Sequence, residues 1–268
     1  MIIDLKNKTA LVCASSYGIG FSCAHTLATS GANIILTSRS INNLKKAESK
    51  IKETIKKLNL KNEVFSYKVD LTDKPLIRGF IRKVKKKHKI DILLLNSGGP
   101  TPGDFSSFHS IEKFEKETSA ITFPTTLLIK EFIPNMKKNG FGRIINISSV
   151  GLIKPITGLA VSNASRSYLA GLMVGISNEV ASYGITINTI LPGIIWTKRQ
   201  EQLTAIDAKK NKISKKEMIK VKASKIPSNK IGSPDDIGHL ATFLSSNHAS
   251  YINGQFIAVD GGMLGIKS

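Results

Sequence analysis

Seven short runs of apolar residues punctuate the chain: Thr9–Cys13, Asn33–Thr37, Glu63–Lys68, Asp91–Leu95, Arg143–Ile147, Thr186–Ile190 and Phe256–Val259. Their length and near-continuous hydrophobicity suit parallel strands buried on both faces. The stretches between them are amphipathic with helical spacing, and several open on capping residues. Ser233-Pro234-Asp235-Asp236 combines a capping hydroxyl, a first-turn proline and two acids. Thr72 and Ser110 are further expected N-caps. Strand–helix alternation of this kind implies right-handed crossovers and helices on both sides of one sheet. The expectation is one doubly wound, Rossmann-type α/β domain over 1–268, without repeats or linkers.

Composition agrees with that picture. At 268 residues and 29.1 kDa, with 41% hydrophobic residues and a mean hydropathy of -0.02, the chain can bury a large core. No apolar run approaches the roughly 20 residues that span a bilayer. Met1–Lys8 is already charged and reads as no signal peptide, so a cytoplasmic protein away from membranes is expected. Cys13 and Cys23 are too few for a disulfide framework and lack metal-ligand spacing. The net charge of +20 raises nucleic acid as a partner. The lysines are scattered, however, over Lys45–Lys57, Lys83–Lys89, Lys137–Lys138 and Lys209–Lys230, with no nucleic-acid motif beside them. Solvated helix faces explain them more simply, with attraction to anionic substrates or an acidic carrier as the alternative.

Chemistry enters at the first strand–helix turn. Thr9–Cys13 leads into Ala14-Ser15-Ser16-Tyr17-Gly18-Ile19-Gly20, and a helix is expected from about Phe21. Glycines there let the backbone approach a pyrophosphate, which the helix N-terminus attracts. A Gly-x-Gly alone could be only a turn, and its place after strand one favours a dinucleotide site.

These residues resemble the short-chain dehydrogenase/reductase family, and the similarity extends over almost the whole chain. Gly18 and Gly20 match the end of that family's Thr-Gly-x-x-x-Gly-x-Gly pattern, while Cys13 and Ala14 replace its start. The lead-in from Asp4 is also similar. Asn96 to Gly103 resembles a divergent branch labelled 3-oxoacyl-acyl-carrier-protein reductase-like. The resemblance implies an oxidoreductase that interconverts a carbonyl and an alcohol by hydride transfer, on a small substrate that is sometimes carrier-linked. It also implies a homotetramer or homodimer.

Ser38-Arg39 ends the second strand where members that prefer NAD carry an acid. An arginine can pair with a 2′-phosphate, so NADP(H) is favoured over NAD(H); the plainer reading is a surface arginine. Asp70, followed by Leu71, resembles the family's adenine-contacting acid and could equally be a turn residue. Asn96, Ser97 and Gly98 resemble the loop after the fourth strand, which could also be a simple tight turn.

The family's catalytic set is a Ser, a Tyr thirteen positions later, a Lys four beyond that and an upstream Asn. Ser149 matches the serine, whereas Ser162, Arg166 and Ile121 stand at the other three positions. Ser162 and Arg166 are four apart and share a helix face. Arg166 keeps the positive charge but cannot shuttle protons near neutral pH, and a serine hydroxyl is a weak acid. Tyr168 lies about 240° round the helix from Ser162 and is expected to pack between helices or subunits. Tyr17 is expected to form a cofactor-side wall, and Ser148 or water relayed through Ser149 stay open as proton donors.

Pro192-Gly193-Ile194-Ile195-Trp196-Thr197 matches the family's Pro-Gly-x-x-x-Thr segment, which implies that Pro192, Gly193, Ile195 and Thr197 hold the nicotinamide side. A lysine-rich stretch over about 198–225 takes the place of the substrate lid. Two functions follow: the oxidoreductase with an atypical catalytic set, or a non-catalytic dinucleotide sensor or scaffold. A nucleic-acid binder is a distant third.

Overall fold

The computed structural model describes residues 2–99, 105–107 and 110–265. Strands β1 (Thr9–Val12), β2 (Asn33–Ser38), β3 (Val64–Lys68), β4 (Ile92–Leu95), β5 (Gly142–Ile147), β6 (Ile185–Pro192) and β7 (Phe256–Val259) form one sheet. Every pairing is parallel and the order is β3-β2-β1-β4-β5-β6-β7. The chain reverses direction across the sheet between β1 and β4. In such sheets ligands bind beyond the strands' carboxyl ends at this switch point.

Helices α1 (Gly18–Thr29), α2 (Ile41–Lys57) and α8 (Pro234–Leu244) share a core with one face of the sheet. Helices α3 (Lys74–Lys87), α4 (Ile111–Asn139) and α5 (Ala160–Val180) share one with the other. Period-two alternation assigns the strand side chains: Ala10, Val12, Ile34 and Leu36 enter the first core, while Leu11, Cys13 and Ile35 enter the second. The remaining two helices, α6 (Lys198–Lys210) and α7 (Lys215–Ser224), occupy the expected lid segment. They are tied to each other by Lys215–Glu201 and Lys222–Asp207 ion pairs of 2.5 and 2.6 Å. No described helix is long and apolar enough to cross a membrane.

Three expectations needed correction. Helix α1 begins at Gly18 rather than near Phe21, because the glycine itself makes the turn into the helix. Thr72 does not cap α3. Asp73 does, accepting from the Leu76 amide at 2.9 Å, while Thr72 donates to Asp70. Tyr168 is 54% exposed on α5, which rules out packing between helices of its own chain and leaves the expected packing between subunits untouched. Ser110 and Ser233 cap α4 and α8, the latter in a capping box.

Candidate dinucleotide site

A cavity of about 560 Å³ opens at the switch point, beyond the carboxyl ends of β1 and β4. The turn after β1 is built by close approach. Ala14 adopts a left-handed φ of 46° and Gly18 one of 61°, a region that disfavours side chains. At Gly20 a Cβ would collide with the Ala14 carbonyl oxygen and sit 2.8 Å from Asn96 Nδ2, so only glycine fits. Asn96 Nδ2 donates weakly to the Ala14 carbonyl at 3.4 Å, linking the turn to the end of β4.

Helix α1 meets this cavity with its N-terminus, and Tyr17 at the N-cap supplies no capping side chain. The first-turn amides and the helix dipole therefore remain available to an anion. The helix is fixed from behind by α8: Ser22 Oγ donates to Asp235 at 2.5 Å, and Thr26 Oγ1 donates to the Gly238 carbonyl at 3.0 Å.

Of the residues expected to hold a cofactor, Ser16, Tyr17, Gly18, Ile19, Ser38 and Arg39 line the cavity on the β1–β2 side. Asp70, Leu71, Asn96, Ser97, Gly98 and Thr197 line the rest. Ser16 Oγ donates to Ser38 Oγ at 2.9 Å, joining the turn to the end of β2. Arg39 is exposed at the rim and forms no ion pair among the described residues. Asp70 Oδ1 is engaged by the Thr72 amide and hydroxyl, so its turn role and its place in the cavity coexist. Thr197 caps α6 and its methyl group lies over Gly18.

Others have different surroundings. Ser15 is buried below the turn, with its hydroxyl donating to the Val12 carbonyl and its amide to the Thr37 carbonyl, each at 2.9 Å. It shapes the loop and does not face the cavity. Pro192, Gly193 and Ile195 are not among the lining residues. Pro192 pairs with Val259, Gly193 lies against Asp260, and Ile195 is buried in the core beside Gly232. Pro100–Gly103 of the Gly/Pro-rich loop lies outside the described residues.

Of the expected catalytic set, Ser162 and Arg166 lie in the first turns of α5, and Ser149 stands just beyond β5. Arg166 Nε donates to Ser162 Oγ at 3.1 Å, so the two share a helix face. Ser149 Oγ accepts from the Gly151 amide at 3.1 Å. A Cβ on Gly151 would be 3.4 Å from both Ser149 Oγ and Asn163 Oδ1, which puts those atoms within about 7 Å of each other. The three residues do not line the cavity itself. Burial, reinforced by Arg199, pushes Arg166 down to about 10, which still leaves it protonated at neutral pH.

Cavity residues absent from the sequence reading include Glu117, Thr37 and Arg199. Arg199 Nη1 donates to the Gly99 carbonyl at 3.0 Å. Glu117, Ala120, Ile121, Pro124, Thr125 and Leu128 line the cavity from α4. Their helical spacing could have signalled a shared face, but it looks the same as core packing. A wider groove of about 640 Å³ lies along the outer edge strand β3, away from the strands' carboxyl ends, and contains none of the expected site residues.

A family model described as enoyl-(acyl carrier protein) reductase matches residues 13–264. The chain is 35% identical over 263 residues to the 3-oxoacyl-[acyl-carrier-protein] reductase FabG of Rickettsia conorii, covering 98% of this chain and 99% of that protein. It is 32% identical over 264 residues to the NADPH-dependent reductase BacG of Bacillus subtilis, covering 97% and 99%. Among solved structures, YwfH, an NADPH-dependent reductase involved in bacilysin biosynthesis, superposes with a TM-score of 0.89 at 31% identity, over 97% and 99% of the two chains. L-sorbose reductase from Gluconobacter frateurii, complexed with NADPH and L-sorbose, gives 0.91 at 26% identity over 99% of both.

Proposed function

Because the chain belongs to the short-chain dehydrogenase/reductase family, we propose that it is an NADP(H)-dependent oxidoreductase interconverting a carbonyl and an alcohol. The observation that carries this reading is the uncapped N-terminus of α1 facing the switch-point cavity, with Arg39 at its rim. The amides of Gly18 and Ile19 suit a pyrophosphate, and Arg39 suits a 2′-phosphate that a carboxylate there would repel. NADPH-dependent relatives support the same choice.

When bound, the reduced nicotinamide supplies a hydride. The chain's own residues do the rest. Asn96 to Gly98, Asp70 and Leu71 line the cavity beside the turn, and Thr197 closes over Gly18. Pro192, Gly193 and Ile195 act through the backbone by holding the segment that carries Thr197. Arg166, charged at neutral pH, stabilises negative charge developing on a substrate oxygen and orients Ser162; the Ser149 hydroxyl, just beyond β5, donates a hydrogen bond to that oxygen. The paired helices α6 and α7 cover the substrate, and their lysines favour an anionic or carrier-linked one. Exposed Tyr168, Val174, Tyr251 and Phe256 offer surface for a second copy, in a homodimer or homotetramer.

Saturable NADPH binding followed by NADPH consumption on a panel of ketones and 3-oxoacyl thioesters tests the proposal. Binding without turnover on any panel member favours the second reading, a dinucleotide-binding sensor or scaffold. That reading draws on the Arg166–Ser162 pairing, which occupies both residues with each other.

A further inference from the structure

The catalytic positions at the head of α5 lack a good proton donor, whereas the cavity contains a carboxyl group. Glu117 lies on α4, one turn or about 6 Å before Ile121 on the stripe that lines the cavity. Its Oε2 is fully buried and has no hydrogen-bond partner among the described residues. Buried polar atoms are nearly always paired, and one left open inside a ligand cavity points to a partner that arrives with the ligand.

The other ionisable groups lining the cavity are less suited. Arg39 and Arg199 are permanent cations. Asp70 sits at the end of β3 with one oxygen committed to Thr72. Tyr17 is 59% exposed in the turn after β1. The Cys13 thiol is buried in the core and held neutral, pushed up to about 12.

We propose that Glu117 is the acid–base residue of this site, a role that rests on the oxidoreductase reading above. In reduction, a hydride forms the new C–H bond at the carbonyl carbon and the π electron pair moves to oxygen. That oxygen takes the proton of the Glu117 carboxyl. The carbonyl is reduced, the dinucleotide is oxidised, and water reprotonates the carboxylate. In the reverse direction the carboxylate takes the hydroxyl proton as hydride departs. The cationic Arg199 lines the same cavity and lowers the cost of charge on the substrate oxygen.

The experiment compares full-length wild type, Glu117→Gln and Glu117→Leu by NADPH titration, turnover on the best carbonyl of the panel across pH, and thermal melting. The role predicts that Glu117→Gln keeps NADPH affinity within about twofold and loses about 10²–10⁴-fold in turnover. Glu117→Leu, freed of an unpaired buried carboxylate oxygen, melts higher than wild type while remaining inactive. Turnover of Glu117→Gln within threefold of wild type would overturn the role. So would an equal loss of NADPH affinity, or a melting point of Glu117→Leu below that of wild type. A wild type that binds NADPH and turns over nothing refutes the oxidoreductase reading and this role together. An active wild type with an equally active Glu117→Gln refutes only the role.

Discussion

Replacing Gly20 with alanine probes the turn on which the dinucleotide reading depends. The new Cβ would fall roughly 1 Å inside ordinary carbon–oxygen contact with the Ala14 carbonyl. It would also lie 2.8 Å from Asn96 Nδ2. Ala14 already occupies a left-handed conformation, so it has little freedom to turn away. The start of α1 must move instead. Overpacking of this kind costs about 1–3 kcal/mol. For 268 residues the unfolding entropy is about 0.6 kcal/mol per K, so the melting temperature falls by roughly 2–5 °C. Moving the α1 amides by about 1 Å weakens charge-assisted bonds worth about 1.5–3 kcal/mol, which corresponds to roughly 10–150-fold weaker NADPH binding. Fluorescence titration and differential scanning calorimetry read the two effects separately. Gly79→Ala on α3, where a Cβ meets nothing within 4 Å, serves as a control and should gain about 0.5–1 kcal/mol. If Gly20→Ala binds NADPH as tightly as wild type, this turn does not cradle the pyrophosphate.

Ala14→Gly should raise the melting temperature by roughly 1–2 °C, because relief of about 1–2 kcal/mol of left-handed strain outweighs about 0.5–1 kcal/mol of added chain entropy, and an unchanged or lower melting point would contradict that. Arg39→Asp should reverse the NADPH-over-NADH preference, costing NADPH about 10–150-fold by loss of one charged contact; an unchanged preference would show that Arg39 does not touch the 2′-phosphate. Burial pushes the thiols of Cys13 and Cys23 up to about 12. Both should therefore resist alkylation at pH 8 in the folded protein and react once it is unfolded. Their raised folded values contribute stability that is fully present below the unfolded thiol range and is lost as pH rises toward 12. Between pH 9 and 10 the two thiols together should remove about 2–3 kcal/mol, read from urea midpoints against a double alanine variant.

The sheet was readable because parallel strands buried on both faces leave uninterrupted apolar runs. Phe256–Val259 matches its run, and the other six strands differ by at most two residues at an end. The start of α1 was less readable, since Gly18 and Gly20 read as loop until the close approach to Ala14 is seen. Ser15 looked like a loop residue facing a ligand, and only the structure turns its hydroxyl inward to Val12. Glu117 was hidden for the opposite reason. Its helical spacing with Ile121 and Leu128 resembles core packing, and nothing local to the sequence shows that this face of α4 borders a cavity. Arg166 and Ser162 were readable as a pair, because four residues of helix fix their common face. Their bond to each other depends on the rotamers adopted at the head of α5.

Transfer of the label from NADPH carrying deuterium at the reactive nicotinamide position tests the central claim most directly. With a carbonyl substrate that the protein consumes, the account predicts one deuterium on the carbinol carbon of the alcohol for each NADPH oxidised. An alcohol free of deuterium, or bound NADPH that is never oxidised in the presence of any carbonyl, would contradict it.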